Sequence, residues 1–309
     1  MKAPSRCALW PGDTCAFLHE RSNAVMKHEI TFAKLHGLGN DFIVVPLHAF
    51  SGSLNNLARQ ICDRHTGVGA DGLAALLEPK SRRHQSRIRI FNSDGSEAEM
   101  SGNGIRCVGG YLAATDPARK KFEIETLAGL KTLEMTERQD GQWAFRVRMG
   151  APILAPAKIP FKGKGVRAPV VSYPLRTRRG VLPVTVTSMG NPHCSIFVSD
   201  FVGFDWETLG QEIERHHLFP HRTNVEFVKL ISRNEVEVRF WERGAGHTMS
   251  SGTGSSAAVV AGVLNGLIDR KVTVRTLAGS MKVYWPKNGE VILTGPVVHI
   301  AQGKYSYHD

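Results

Sequence analysis

The sequence predicts an α+β protein built from two structurally equivalent halves. Three observations carry this. Short strings recur in the same order about 150 positions apart; each copy holds alternating, strand-like runs; and each copy holds a Ser-Gly-x-Gly turn heading a small-residue apolar stretch suited to a helix.

The elements follow in chain order. Residues 1–28 read as a disordered extension: the first 25 lack the continuous apolar core of a signal peptide, and Met26 opens a segment, MKHEITFAKLHGLGNDFIVV, that resembles a protein start. Residues 29–150 form the first half and 151–309 the second, with the boundary in the Pro- and Lys-rich stretch 151–185. In the first half Gly39-Asn40 precedes the β-rich run FIVV (42–45); in the second, Gly190-Asn191 precedes CSIFV (194–198). Further strands are expected at RIRIFN (87–92) and EVEVRFW (235–241) from their period of two. Ser101-Gly102-Asn103-Gly104 then lies over Ser251-Gly252-Thr253-Gly254, and each heads a helix. Finally KKFEIETLAG (120–129) and RKVTVRTLAG (270–279) read as hairpins turning at the shared Thr-Leu-Ala-Gly.

Composition narrows the class. With 42% hydrophobic and 22% charged residues, and no apolar run long enough to cross a bilayer, the chain reads as a soluble globular protein with no membrane partner. The net charge of +11 is spread along the chain, with only short runs at Arg82–Arg83, Arg119–Lys121 and Arg178–Arg179. It therefore argues for a solvated basic surface rather than a nucleic-acid interface, and it favours an anionic substrate. Five cysteines (7, 15, 62, 107 and 194) without CxxC spacing or a paired framework point to a reduced, cytoplasmic setting.

The paired helix heads suggest the chemistry. A Ser-Gly-x-Gly turn opening a helix offers free backbone N–H groups and the positive end of the helix dipole. If the halves face one another, both heads point at one carboxylate in the cleft between them. Inverting a stereocentre needs one acid/base group on each face of the carbon, and two copies of one half supply them. Ser101 and Ser251 occupy those places, with His193 and Glu242 as neighbouring proton acceptors.

At these residues the chain resembles the diaminopimelate epimerase family. The likeness is carried by HGLGNDFIVV (36–45), GVGADGL (67–73), FNSDGSEAEMSGNGIRC (91–107), MGNPHCSIFV (189–198), RTNVEFV (222–228) and ERGAGHTMSSGTGSSAA (242–258), which run in family order from about residue 30 to the C-terminus. The resemblance implies two similar domains, each a barrel-like sheet around a central helix, with the active site between them. It implies conversion of LL-2,6-diaminopimelate to the meso form without cofactor or metal, in lysine and peptidoglycan precursor synthesis. A small diamino-dicarboxylate would be the partner, and a homodimer is compatible with the family. Substrate-binding positions fall on Asn40, Asn92, Asn191 and Asn224, with Glu242 and Arg243 beside them. The α-carboxylate would sit on the helix heads at Gly102-Asn103 and Gly252-Thr253.

The chain departs from the family where it matters most: Ser101 and Ser251 replace two catalytic cysteines. A thiol near pKa 8.5 becomes a thiolate in an electropositive helix head, whereas a hydroxyl stays protonated at neutral pH. Cys107 and Cys194 read as buried core residues rather than replacements. Two readings stand open: an epimerase in which Ser–His193 and Ser–Glu242 pairs move protons in concert, and a catalytically altered homologue that binds the amino acid without inverting it. Three rivals fit less well. Gly252-Thr253-Gly254-Ser255-Ser256-Ala257 matches a dinucleotide fingerprint without the parallel strand–turn–helix context, neither serine lies in a GxSxG elbow, and His216, His217 and His221 near Glu214 match no structural-zinc spacing.

Overall fold

The structure, a computed structural model, describes residues 27–47, 50, 52–287 and 289–308. The first half carries β1 (Lys27–Gly37), β2 (Asn40–Pro46), α1 (Leu54–Cys62), β3 (Gly72–Leu77), β4 (Ser86–Asn92), β5 (Glu97–Ala98), α2 (Gly102–Thr115), β6 (Lys121–Thr126), β7 (Gly129–Gln139) and β8 (Gln142–Gly150). The second carries β9 (Val170–Thr177), β10 (Gly180–Ser188), β11 (Pro192–Val198), α3 (Trp206–Glu214), β12 (Asn224–Ser232), β13 (Glu235–Glu242), β14 (Gly246–Thr248), α4 (Gly252–Leu264), β15 (Lys271–Thr276), β16 (Gly279–Tyr284) and β17 (Val291–His308). From β1 and from β10 onward the two halves share one order of elements, with β9 additional in the second.

Strand pairing closes the first half into a barrel: β1 leads to β2, β3, β4, β6, β7, β8 and β17, and β17 returns to β1. The second half repeats the sequence from β9 through β10, β11, β12, β13, β15 and β16 to β17. The parallel steps are β2/β3, β4/β6, β11/β12 and β13/β15, and a helix lies in each connection, as parallel neighbours require. Helices α1 and α3 are not foreseen from the sequence reading. Their caps are legible in hindsight: Ser53 accepts from Asn56 N and Asp205 from Thr208 N.

Alternation places the strands. In β13 every second residue is buried (Val236, Val238, Phe240), and in β6 and β15 the buried residues are Phe122 and Ile124, and Val272 and Val274. The two Thr-Leu-Ala-Gly turns are built alike. Thr126 Oγ1 donates to Gly129 O at 2.7 Å and Thr276 Oγ1 to Gly279 O at 2.9 Å, with Gly129 and Gly279 both at positive φ.

The central helices are short of bulk for a reason. A Cβ on Gly109 would meet Leu133 and Phe145, and one on Gly110 would meet Leu35 and Val297, because the strands wrap α2 closely. Helix α4 is buried along Gly252–Gly262, which is why it is apolar all round. One core cluster runs through both halves, from Leu35, Ile105 and Phe145 to Val259, Val274 and Leu293. Two outer clusters lie beneath α1 and α3.

Two strands lie across the expected boundaries. Strand β1 begins at Lys27, inside the range assigned to the extension; residues 1–26 lie outside the described residues. The C-terminal strand crosses the expected division. Val291–Val298 pairs with β8, and residues 298–308 pair with β1, so the first barrel is closed by the last strand of the chain. Ile153, just beyond β8, bridges Ser188 at the end of β10. The last strand thus pairs with β8 and β1 of the first half and with β16 of the second.

Candidate active site

The two glycine-headed helices meet head to head. A Cβ on Gly102 would lie 3.3 Å from Gly252 Cα, and a Cβ on Gly252 would lie 3.2 Å from Gly102 Cα. Any larger residue at either first helical position would push the heads apart. Ser101 and Ser251 are the N-caps, with matching φ of −130° and −139° and matching bonds: Ser101 Oγ accepts from Gly104 N at 3.0 Å and Ser251 Oγ from Gly254 N at 3.2 Å. With the third N–H of each helix taken by its serine cap, the remaining first-turn N–H groups and two positive dipole ends converge on one spot. Ser250 locks the junction, donating from its buried Oγ to the carbonyls of Gly37 (3.3 Å) and Leu38 (2.9 Å) in the other half.

The titratable groups of the site come from the second half. Glu242 ends β13 and accepts from Thr248 Oγ1 at 2.6 Å, with the Ser251 hydroxyl close enough to lower its carboxyl. Burial pushes its carboxyl above the ordinary carboxylate value, against the bonds from Thr248 and Ser251 and the nearby charge of His193. His193 lies in β11, fully buried, and both ring nitrogens are engaged: Nδ1 with Glu226 Oε1 at 2.6 Å and Nε2 with Asn191 Oδ1 at 2.8 Å. Ser195 Oγ donates to the other Glu226 oxygen at 3.1 Å, so this buried carboxylate is fully held. Ser251 thus stands beside Glu242, and among the described residues no hydrogen bond joins His193 to either serine.

The first half offers amides and charge. Asn103 Nδ2 donates to Asn40 Oδ1 at 3.0 Å, and Asn40 Nδ2 donates to Asp71 Oδ2 at 2.9 Å. Behind Asn103 lies Arg106, fully buried, which donates to Gly102 O at 2.9 Å and to Asn103 Oδ1. Asp71 and Asp41 share Arg64, and Lys34 pairs with Asp41. Burial raises Asp41, but the bonds from Arg64 and Lys34 outweigh it and hold its carboxyl below the usual range; Asp71, buried beside that charge, is pushed up.

The remaining expected residues divide. Asn191 follows Gly190, which takes φ +102°, as Asn40 follows Gly39 at φ +81°, so one turn presents both amides. Asn224 is buried and spent on the backbone, donating to Pro192 O and accepting from Arg243 N. Arg243 is exposed, with Nη1 on His221 O at 3.4 Å. Asn92 is exposed at the end of β4 and donates to Ser96 Oγ. Cys107 and Cys194 are fully buried; burial pushes the Cys107 thiol up to about 12 and the Cys194 thiol well above its usual value, which removes both as bases. His216 faces the Arg176 carbonyl and stacks near His217. Among the described residues no group of three or more His, Cys, Asp or Glu could hold a metal ion. Sequence reading did not single out Glu226, Asp71 or Arg106, although all three lie inside the motifs that carry the resemblance. Nothing short of the fold connects them to the helix heads.

Comparison with known proteins identifies the family. A family model described as diaminopimelate epimerase matches residues 32–155 and 185–300. The chain is 46% identical over 282 residues to the diaminopimelate epimerase of Pelotomaculum thermopropionicum, covering 89% of this chain and 99% of that protein. It is 45% identical over 278 residues to that of Moorella thermoacetica, covering 89% and 98%. Among solved structures it is similar to a hydroxyproline epimerase from Agrobacterium vitis (TM-score 0.69, 16% identity, 91% of this chain and 93% of that one). It is also similar to a PhzF-family phenazine biosynthesis protein from Bacillus anthracis (TM-score 0.64, 15% identity, 90% and 99%). At those identities the structural likenesses show a shared fold. No helix among the described residues is long and apolar enough to cross a membrane.

Proposed function

The chain belongs to the diaminopimelate epimerase family and is an isomerase; we propose that it converts LL-2,6-diaminopimelate to the meso form by moving a proton from one face of the α-carbon to the other. The observation that carries this is the head-to-head contact of α2 and α4, with one serine hydroxyl at each head. The α-carboxylate takes the converging N–H groups of Gly102-Asn103 and Gly252-Thr253. Its negative charge, which grows as the α-proton leaves, is met by two dipole ends fixed before the reaction.

Serine cannot act as a stored anion, so the transfer must be concerted. As Ser251 takes the α-proton, its own hydroxyl proton passes to the neighbouring Glu242 carboxylate. On the opposite face Ser101 gives its proton to carbon and is resupplied by His193. In the structure His193 Nε2 faces Asn191, and a substrate that engages the Asn191 amide would release it, while Glu226 keeps the ring oriented through Nδ1. Read in reverse, the same steps return the LL isomer. Asn40, Asn92, Asn191, Asn224 and Arg243 are assigned to the distal, non-reacting end. The protein would act in the cytoplasm, in lysine and cell-wall precursor synthesis.

A second reading rests on a specific observation. Both serine hydroxyls are already used as helix caps, the role for which serine is among the best residues, so the site is also suited to bind the amino acid without inverting it. Incubation with LL-diaminopimelate in D2O, followed by NMR, separates the two. Loss of the α-proton signal and growth of the meso isomer, abolished in Ser101→Ala and Ser251→Ala, supports the epimerase. Binding without exchange, with exchange appearing once both serines are changed to cysteine, supports the binder.

A further inference from the structure

Among the described residues Arg106 is the largest fully buried side chain, and its Nε has no hydrogen-bond partner. Among the described residues no ion pair reaches it; its guanidinium spends two nitrogens on Gly102 O and Asn103 Oδ1, and Nε is buried without a hydrogen bond. Burial pushes the group down to about 10, which still leaves it charged at neutral pH. A buried cation with no counter-ion is costly, and one retained in a core argues that an anion arrives to meet it.

The fold makes room for this charge. A Cβ on Gly37 of β1 would stand 2.8 Å from Arg106 Nη2, and one on Gly295 of β17 would stand 3.3 Å from Nε, so two strands give up side chains to admit the guanidinium. It sits directly behind the first turn of α2, the turn that presents Gly102 and Asn103. Because Arg106 donates to Asn103 Oδ1, Asn103 must turn its NH2 outward to Asn40 Oδ1, and Asn40 in turn donates to Asp71. The whole row of amides is polarised from one end. The second half has no counterpart: 150 positions on stands Ser256, whose hydroxyl donates to Gly252 O at 2.9 Å, a neutral group making the same backbone contact.

We propose that Arg106 is a positioning residue that fixes the Asn103–Asn40 pair and supplies the buried positive charge that makes the paired helix heads select a carboxylate over a neutral group. The inference rests on the assignment of that carboxylate to the helix heads.

The test compares ligands as well as variants. Binding of LL-diaminopimelate and of its diamide is measured by calorimetry for the full chain, Arg106→Met and Arg106→Lys. The unaltered protein is expected to prefer the diacid. Arg106→Met should cut that preference by about tenfold or more, the scale of one unscreened charge acting over several ångströms of protein. Arg106→Lys, which keeps the charge but loses the fork, should retain most of the preference while weakening both ligands through misplacement of Asn103. A purely structural role would weaken diacid and diamide alike, and an unchanged ratio in Arg106→Met overturns the inference. If Arg106→Met does not fold, loss of the preference in folded Arg106→Lys overturns it equally. Failure of the unaltered protein to prefer the diacid would instead overturn the proposed function, and the inference with it.

Discussion

The two halves share a backbone and differ in chemistry. Ser101 and Ser251 cap their helices with nearly the same geometry, and each helix head faces the other across a pair of glycines. Around that frame the residues diverge. Where the second half has Glu242 at the end of β13, the first has Asn92 at the end of β4; where the first has Arg106, the second has Ser256. His193 and Glu226, a buried acid–base pair, belong to the second half alone. Under the proposed function, the duplicated main chain fixes where the carboxylate sits, while side chains distribute the proton chemistry unequally. A reaction that treats two faces of a carbon alike in position need not treat them alike in mechanism.

The sharpest way to break this comparison is to remove the anchor that only one half possesses. Glu226→Gln should lower α-proton exchange by about a hundredfold, within the range for losing an oriented acid or base, with substrate binding nearly unchanged. Equal loss of binding and exchange would show that Glu226 merely holds the strand. Next comes the contact the halves share. Gly102→Ala and Gly252→Ala each press a methyl group on the opposite backbone and should cost about 1–3 kcal/mol in denaturant unfolding, by equal amounts because the contact is reciprocal. A twofold asymmetry would mean that one head yields more readily than the other.

A smaller effect separates capping from catalysis. Ser101→Ala and Ser251→Ala should each cost about 1 kcal/mol of stability as lost N-caps. Any difference in stability beyond that shared cost belongs to the Glu242 carboxyl, which stands beside Ser251 and not beside Ser101. The least effect concerns pH. Glu242 is raised in the folded chain, so the folded state holds its proton longer than the unfolded state does, and stability declines as pH rises from the ordinary carboxylate range through the raised value. Glu242→Gln should flatten that decline and leave stability below the ordinary range unchanged. A steeper decline in the variant would mean that Glu242 is held ionised.

Much of this was legible before any coordinates. The collinear repeats gave the equivalent halves, the period of two in RIRIFN and EVEVRFW gave strands β4 and β13, and the Thr-Leu-Ala-Gly turns gave both hairpins with their glycines at the correct corner. Local rules suffice there because a turn or an amphipathic strand is decided within a few residues. Helices α1 and α3 escaped because each is only nine residues long and draws its stability from tertiary burial rather than from propensity. The resemblance pointed to the serines, asparagines and Glu242 by motif, but it could not say that Asn224 bonds to backbone or that His193 faces Glu226 and Asn191.

What the sequence by itself determined is the set of pieces: two helix heads, their serine caps, the small residues of the central helices and the strands that surround them. These follow from spacing, cap chemistry and periodicity, all of which act over one or two turns of chain. What only the tertiary structure decided is which pieces touch. That the heads abut through Gly102 and Gly252, that β17 returns to close the first barrel, and that Arg106 is sealed between Gly37 and Gly295 are contacts between residues far apart in sequence. Such contacts are set by packing of the whole core, in which volume, burial and unpaired charge must be satisfied together, and no local pattern records that solution.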